Sequence, residues 1–146
     1  METERYKIDG DVLIVKDGVT SIEENEFKGL DSIKKVILPA TVRSIWNSAF
    51  SGCKSLREID FPDGLAMIWD YAFSGCIKLK KIHFPYTMEH ICHFAFSYCK
   101  GLKEVVVPSI TRIDKYAFSG CDSLEKVIIR DMTPVVPGRR ERIARS

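Results

Sequence analysis

The sequence predicts a repeat solenoid, in which coils of about 23 residues stack along one axis around a shared apolar core. Three observations predict this fold class. Five phenylalanines recur at intervals of 23, 23, 23 and 22 residues: Phe27, Phe50, Phe73, Phe96 and Phe118. An isoleucine precedes each of them by five residues. Two more apolar residues follow each of them at nine and eleven residues, and one coil alone has too little interior to bury this set.

Other positions repeat in the same phase, so we expect like residues to stack on like. The isoleucine column is Ile22, Ile45, Ile68, Ile91 and Ile113. A second apolar column is Ile33, Leu56, Leu79, Leu102 and Leu124. A cysteine column follows in four coils: Cys53, Cys76, Cys99 and Cys121. Stacking would set these sulfurs in a line with steps of about 4.8 Å, which favours buried free thiols over a metal centre or disulfides.

Each coil is expected to contain one short strand and one turn. Segments 36–38, 59–61, 82–84, 105–107 and 127–129 alternate inward and outward and predict parallel strands, with residues 13–15 starting the sheet. Proline follows four of these strands and ends the ladder there. The stretch 47–52 and its equivalents predict short helical turns. Gly52, Gly75 and Gly120 are placed to close these turns in a left-handed conformation.

The unit Ile-x-x-x-Ala-Phe-x-x-Cys-x-x-Leu-x-x-Ile-x-Phe-Pro resembles the BspA-like class of leucine-rich repeats over roughly residues 8–130. The resemblance implies a right-handed superhelix with a parallel sheet on its concave face, and the predicted helical turns then fall on the convex side. It also implies macromolecular binding, often in bacterial surface adhesins. The first coil departs from the unit with Glu26 and Leu30, as a capping coil does. Trp46 and Trp69 occupy a position that is commonly glycine in this class.

We divide the chain into an N-terminal capping strand with the start of the solenoid at 1–21, five coils at 22–130, and a C-terminal cap with a basic flexible tail at 131–146. The tail accounts for the net charge of +2, so acidic and basic residues balance in the rest of the chain. A balanced charge gives no general attraction to nucleic acid, so a nucleic-acid partner is not expected. The sequence contains no run of 18 apolar residues, so it predicts no transmembrane helix. Without a signal sequence the chain as it stands is expected in the cytoplasm, or as a mature or excised piece, whereas the resemblance favours the cell surface or secretion.

No catalytic motif emerges, so we expect neither an enzyme nor a cofactor. His90, Cys92 and His93 are the one compact set of metal-ligand types. Their neighbour Ile91 is a core position, so they are interpreted as surface residues, with Cys92 an exposed thiol, and no metal is expected.

The expected concave face offers one set of binding residues. Its central row is apolar at both ends and polar in the middle: Ile37, Asp60, His83, Val106 and Ile128. Exposed Val106 and Ile128 would form a modest hydrophobic patch. A flanking row alternates in charge and is interpreted mainly as support for strand register: Lys35, Glu58, Lys81, Glu104 and Lys126. A third row is mostly basic and would suit an acidic partner: Lys34, Arg57, Lys80, Lys103 and Glu125.

The other candidate binding residues are aromatic. Trp46 and Trp69 lie one coil apart, and Tyr71, Phe94 and Tyr116 form a second column. These rings either widen the core by packing over the preceding coil or form a contact surface, because Trp and Tyr are enriched at binding hot spots. The function predicted is a non-catalytic module that binds another protein, and the alternative is an adhesin-like module for glycans or a cell surface. End-to-end self-association stays open, if Met132, Val135 and Val136 do not cap the last coil.

Overall fold

The protein winds as a β-solenoid of about five turns, which confirms the repeat fold. The computed structural model describes residues 1–131 and the backbone of one further strand, Arg142–Ala144. Two series of strands run along the solenoid, one per side, and we call them the wide sheet and the narrow sheet. The described part of the chain contains no helix that could span a bilayer.

The wide sheet carries the predicted parallel strands. They are β2 (Val12–Val15), β4 (Lys35–Ile37), β6 (Glu58–Asp60), β8 (Lys81–His83), β10 (Glu104–Pro108) and β12 (Lys126–Arg130). Each begins one residue earlier than predicted. Repeat-equivalent residues pair in register, as Val36 does with Ile59 and Val105 with Val127. The sheet ends in strands whose antiparallel pairing the repeat pattern did not predict, β1 (Tyr6–Asp9) beside β2 and β13 (Arg142–Ala144) beside β12.

The narrow sheet was not predicted. It consists of β3 (Ser21–Ile22), β5 (Ser44–Ile45), β7 (Met67–Ile68), β9 (His90–Ile91) and β11 (Arg112–Ile113), all parallel. Its inward residues are the isoleucine column. A strand of two residues is too short for an alternation pattern to show, so only the column itself was visible in the sequence.

The prediction of short helical turns is wrong, because the described residues contain no helix. Within segment 47–52, amides alternate between two kinds of partner. Ala49 N donates to Trp46 O at 3.2 Å within the coil, whereas Phe50 N donates to Ala72 O at 2.7 Å in the next coil. Ser48 has a φ of 57°, which interrupts any helical run. The segments are therefore tight turns hydrogen-bonded to the next coil, and they close at left-handed glycines as predicted, with Gly52 at 72°.

The core is a set of stacked columns. The phenylalanine rings lie 5.1 Å apart between Phe50 and Phe73 and 5.0 Å apart between Phe73 and Phe96, nearly parallel in both pairs. Cys53, Cys76 and Cys99 are buried as predicted, and Cys121 is half-buried. Each thiol also donates to the carbonyl of the phenylalanine in the preceding coil, a role that the sequence did not suggest. The cysteine column therefore satisfies one backbone acceptor per coil.

Candidate binding surfaces

An aromatic ridge runs beside the narrow sheet, and its members are Trp46, Trp69, Tyr71, Phe94 and Tyr116. The tryptophans directly follow the isoleucines that end β5 and β7, so strand alternation turns them outward. The other three rings come two residues later in their coils and have φ values of 57–66°. Asn25 and Ser48 share this conformation at the same repeat position. Bulky residues are disfavoured there, so the ridge places large rings where the backbone does not favour them.

The ridge rings stack on one another across coils. Ring centroids are 5.0 Å apart between Trp46 and Trp69, with an interplanar angle of 2°. They are 5.0 Å apart between Tyr71 and Phe94 and 5.4 Å apart between Phe94 and Tyr116. Trp46, Tyr71 and Tyr116 nevertheless remain 39%, 45% and 52% exposed. Each ridge ring thus has at least one face against another ring, and Phe94 has both faces covered in this way.

A polar cluster continues the tryptophan column at the next two coils, and we call it the Asp114 cluster. Its members are His90, Cys92, His93, Arg112 and Asp114. The Asp114 carboxylate lies 2.8 Å from His90 Nε2 through Oδ1 and 3.6 Å from His93 Nε2 through Oδ2. Arg112 Nε lies 3.5 Å from Oδ1. Contact with His90, followed by the charges of His93 and Arg112, lowers the pKa of Asp114.

The expectation that Cys92 is an exposed thiol is wrong, since its side chain is only 3% exposed. Trp69 occupies the same repeat position one coil earlier and Asp114 one coil later, so the column encloses the thiol from both sides. Burial, assisted by the charge of Asp114, raises the pKa of Cys92 to about 11. Sequence analysis missed Asp114 because it is 22 residues away, and only the stacking of coils brings it to Cys92.

The predicted hydrophobic patch on the wide sheet is also wrong. Val106 is 2% exposed and Ile128 is 9% exposed. The alternation rule assumes that the outer face of the sheet is open to solvent, which does not hold at these two positions. β13 extends the sheet at its edge, where Ile143 pairs with Ile128 of β12. Asp60 and His83, the polar members of the same row, are exposed as predicted.

The wide sheet is interrupted between β6 and β8. Elsewhere two amides converge on one carbonyl of the preceding coil, as Lys103 N and Glu104 N do on Lys80 O. No backbone hydrogen bond from Lys80 or Lys81 to Arg57 is found, although residues 57–81 are all described. The gap forms an open cleft of about 700 Å³. Its charged lining residues are Arg57, Glu58, Asp60, Lys78, Lys80, Lys81 and His83. The repeat spacing is unchanged here, so the sequence carries no sign of the gap.

The alternating charges pair where the sheet is intact. Lys35 Nζ lies 3.6 Å from the Glu58 carboxylate, and Lys126 Nζ lies 3.9 Å from that of Glu104. Glu104 also lies 3.2 Å from His83 Nε2, a contact that lowers the pKa of Glu104. These pairs fit the interpretation that the row supports strand register. Lys81 and Glu58 both line the cleft, where the sheet is open.

The last coil is less covered than the others. Ile113 is 43% exposed, whereas Ile22, Ile45, Ile68 and Ile91 are fully buried. Phe118 and Leu124 are half-buried. The predicted cap residues Met132, Val135 and Val136, and the arginine side chains of the tail, lie outside the described residues. The cap and the end-to-end association therefore stay predictions.

A model of the BspA-type leucine-rich-repeat region matches residues 17–136 in six copies. The chain belongs to the BspA-type leucine-rich-repeat family. Proteins built from these repeats are generally non-catalytic and generally bind other proteins. A search of curated protein sequences found no match.

Solved structures of other leucine-rich-repeat proteins have the same fold. A T. pallidum leucine-rich-repeat protein is 32% identical with a TM-score of 0.74, and the match covers 84% of this chain and 66% of that one. A leucine-rich cell surface protein of Faecalibacterium prausnitzii is 30% identical with a TM-score of 0.75, over 85% and 32% of the two chains. One from Bacteroides ovatus is 29% identical with a TM-score of 0.70, over 84% and 38%. The chain thus spans just under two thirds of the first and about a third of the other two.

Proposed function

We propose that this repeat protein is a non-catalytic module that binds another protein through the aromatic ridge. The single observation that carries the proposal is the exposure of Trp46, Tyr71 and Tyr116, at 39%, 45% and 52%, on one side of the solenoid. Tryptophan and tyrosine supply large contact area with few rotatable bonds, which makes them frequent binding hot spots. Stacking across coils holds the rings in place before any partner arrives, which lowers the entropy cost of binding.

The arrangement of the rings favours a protein over a glycan. A sugar stacks on the open face of an aromatic ring, but each ridge ring has at least one face covered by another ring at 5.0–5.4 Å. The outer face of Tyr116 is approached by Lys115 Nζ, 4.9 Å from the ring centroid. The exposed side chains of Tyr71 and Tyr116 instead suit a protein surface, to which their hydroxyls can donate hydrogen bonds.

The family supports a search for this partner outside the cell. BspA-like repeat proteins are often cell surface proteins. One structural neighbour is described as a cell surface protein of F. prausnitzii. The adhesin-like alternative shares this location and differs in its ligand, so the two are separated by the chemistry of the ligand rather than by where the protein is found.

The experiment compares three variants of the ridge with one exposed tyrosine elsewhere. Trp46→Ala, Tyr71→Ala and Tyr116→Ala each remove one ridge ring, and Tyr86→Ala removes a ring that is 50% exposed outside the ridge. Immobilised protein is incubated with extract and surface fractions of the native source, and bound proteins are quantified by mass spectrometry. We expect a partner whose binding Tyr86→Ala retains and each ridge variant weakens at least tenfold, a loss of about 1.4 kcal/mol or more.

Two outcomes would reject the proposal. The first is a partner retained by all three ridge variants, which would move the binding surface elsewhere. The second is binding to a glycan array that the ridge variants abolish and that persists in high salt, which would support the adhesin-like alternative. Thermal melting of every variant shows whether a loss of binding reflects unfolding.

A further inference from the structure

We propose that His90, Cys92 and Asp114 form a binding site for a transition-metal ion of the zinc type. The site would tie the fourth coil to the fifth, and it is independent of any partner of the ridge. The ligand atoms of these three residues all lie within 4.8 Å of one another. Imidazole nitrogen, thiolate sulfur and carboxylate oxygen are the three donor types that proteins use for zinc.

The repeat geometry explains why these side chains meet. His90 lies in β9 and Cys92 two residues later, on either side of buried Ile91, so both point away from the core. Asp114 occupies the position of Cys92 in the following coil, and pairing of Ile113 with Ile91 brings it alongside. Two ligands separated by one residue and a third from the next coil enclose a common point. Tetrahedral coordination at about 2.0–2.3 Å sets ligand atoms roughly 3.3–3.7 Å apart. The His90–Asp114 pair at 2.8 Å would therefore open slightly, and any pair near the 4.8 Å limit would close.

The burial of these atoms favours a ligand that takes the place of water. His90 Nε2 is buried, and its close polar neighbour is Asp114 Oδ1 at 2.8 Å. Cys92 is 3% exposed. The ring nitrogen and the carboxylate are thus already drawn together away from water, and a metal ion between them would coordinate both. Among the described residues, these three are the set of this kind that the structure brings together.

The surroundings of the site favour zinc over magnesium or calcium. Magnesium and calcium prefer oxygen ligands alone, whereas a histidine and a cysteine select softer ions. The second carboxylate oxygen of Asp114 lies 3.6 Å from His93 Nε2, and the side chain of His93 is 55% exposed. His93 therefore orients the carboxylate from the rim, and the fourth coordination position is left to water.

The experiment uses the full chain, stripped with a chelator, and Zn²⁺ and Co²⁺ as probes. Zn²⁺ affinity is measured by competition with a chromophoric chelator. We expect the wild type to bind one ion, and we expect the Zn²⁺ affinity of His90→Ala, Cys92→Ala and Asp114→Asn each to fall at least tenfold. A tenfold loss is the lower end of the range seen when a residue that only supports a metal ligand is replaced. His83→Ala is the matched control, because His83 is an exposed histidine on the wide sheet. It should bind as the wild type does.

Two further readouts keep the proposal open to rejection if one variant folds poorly. Co²⁺ bound at the site should give the charge-transfer absorption of a cobalt thiolate, absent in Cys92→Ala. Zn²⁺ at a hundredfold excess over its dissociation constant should raise the melting temperature of the wild type and of His83→Ala by roughly 5–10 °C. The melting temperature of Asp114→Asn should not change. Absence of tight binding to the wild type would overturn the proposal. Zn²⁺ binding by His90→Ala and Asp114→Asn as tight as that of the wild type would also overturn it.

Discussion

Replacement of Phe73 by alanine tests the stacked core most severely. Phe73 is fully buried, with Phe50 and Phe96 stacked on either face at 5.1 and 5.0 Å and Phe61 edge-on at 5.6 Å. A buried phenylalanine removes about 200 Å² of mostly apolar surface from water, worth roughly 5 kcal/mol at about 25 cal/mol per Å². Alanine retains part of this, and neighbouring coils relax little around a ring held on three sides. We therefore expect a loss of about 3–5 kcal/mol.

Phe118→Ala is the matched control for that substitution. Phe118 occupies the same column in the last coil, is half-buried, and stacks on Phe96 at 5.4 Å. Since it has less buried surface, its loss should cost about half as much as the loss of Phe73. Urea titration followed by circular dichroism gives both free energies of unfolding. A cost for Phe73→Ala below about 1 kcal/mol, or no larger than that of Phe118→Ala, would refute the stacked-column account.

Two smaller predictions follow from single contacts. A methyl group at Gly101 would lie 2.6 Å from the carbonyl oxygen of Ile77, so Gly101→Ala should destabilise the fold by about 1–3 kcal/mol. The control is Ser55→Ala, at the equivalent position of an earlier coil, which should be nearly neutral in the same urea titration. Contact with His83 lowers the pKa of Glu104 in the folded protein below its unfolded value of about 4.3. The ionised carboxylate therefore contributes stability above about pH 4.3, and this stability is lost as the pH falls through the folded pKa. Glu104→Gln should therefore lower the melting temperature slightly at pH 7 and reduce its fall between pH 5 and pH 3. An unchanged fall would show that the contact adds no pH-dependent stability.

Much of the fold was predictable because a repeat amplifies weak signals. One Phe or Ile says little alone, but five in phase identify the core columns and the strands of the wide sheet. The helical-turn prediction failed for a reason that one coil cannot reveal. Amides such as that of Phe50 bond to the next coil, so their partners lie 21–22 residues away instead of four. Local pattern alone cannot distinguish this arrangement from a helical turn.

The candidate surfaces were less predictable, since they depend on what lies beside each coil. The ridge rings were visible as residue types, but their face-to-face stacking was not. Val106 and Cys92 were expected to be exposed from strand alternation, yet both are buried. The cleft between β6 and β8 leaves the spacing of the repeat unchanged, so no sequence signal corresponds to it.

The most direct test of the account is a comparison of Tyr71→Ala with Phe73→Ala in the same two assays. The residues lie two positions apart, but Tyr71 is 45% exposed on the ridge and Phe73 is fully buried. We predict that Tyr71→Ala weakens partner binding at least tenfold and costs no more than about 1.5 kcal/mol of stability. Phe73→Ala should instead cost about 3–5 kcal/mol of stability and leave the affinity of the folded fraction for the partner unchanged. Intact binding in Tyr71→Ala with a large loss of stability would contradict the separation of core from contact surface.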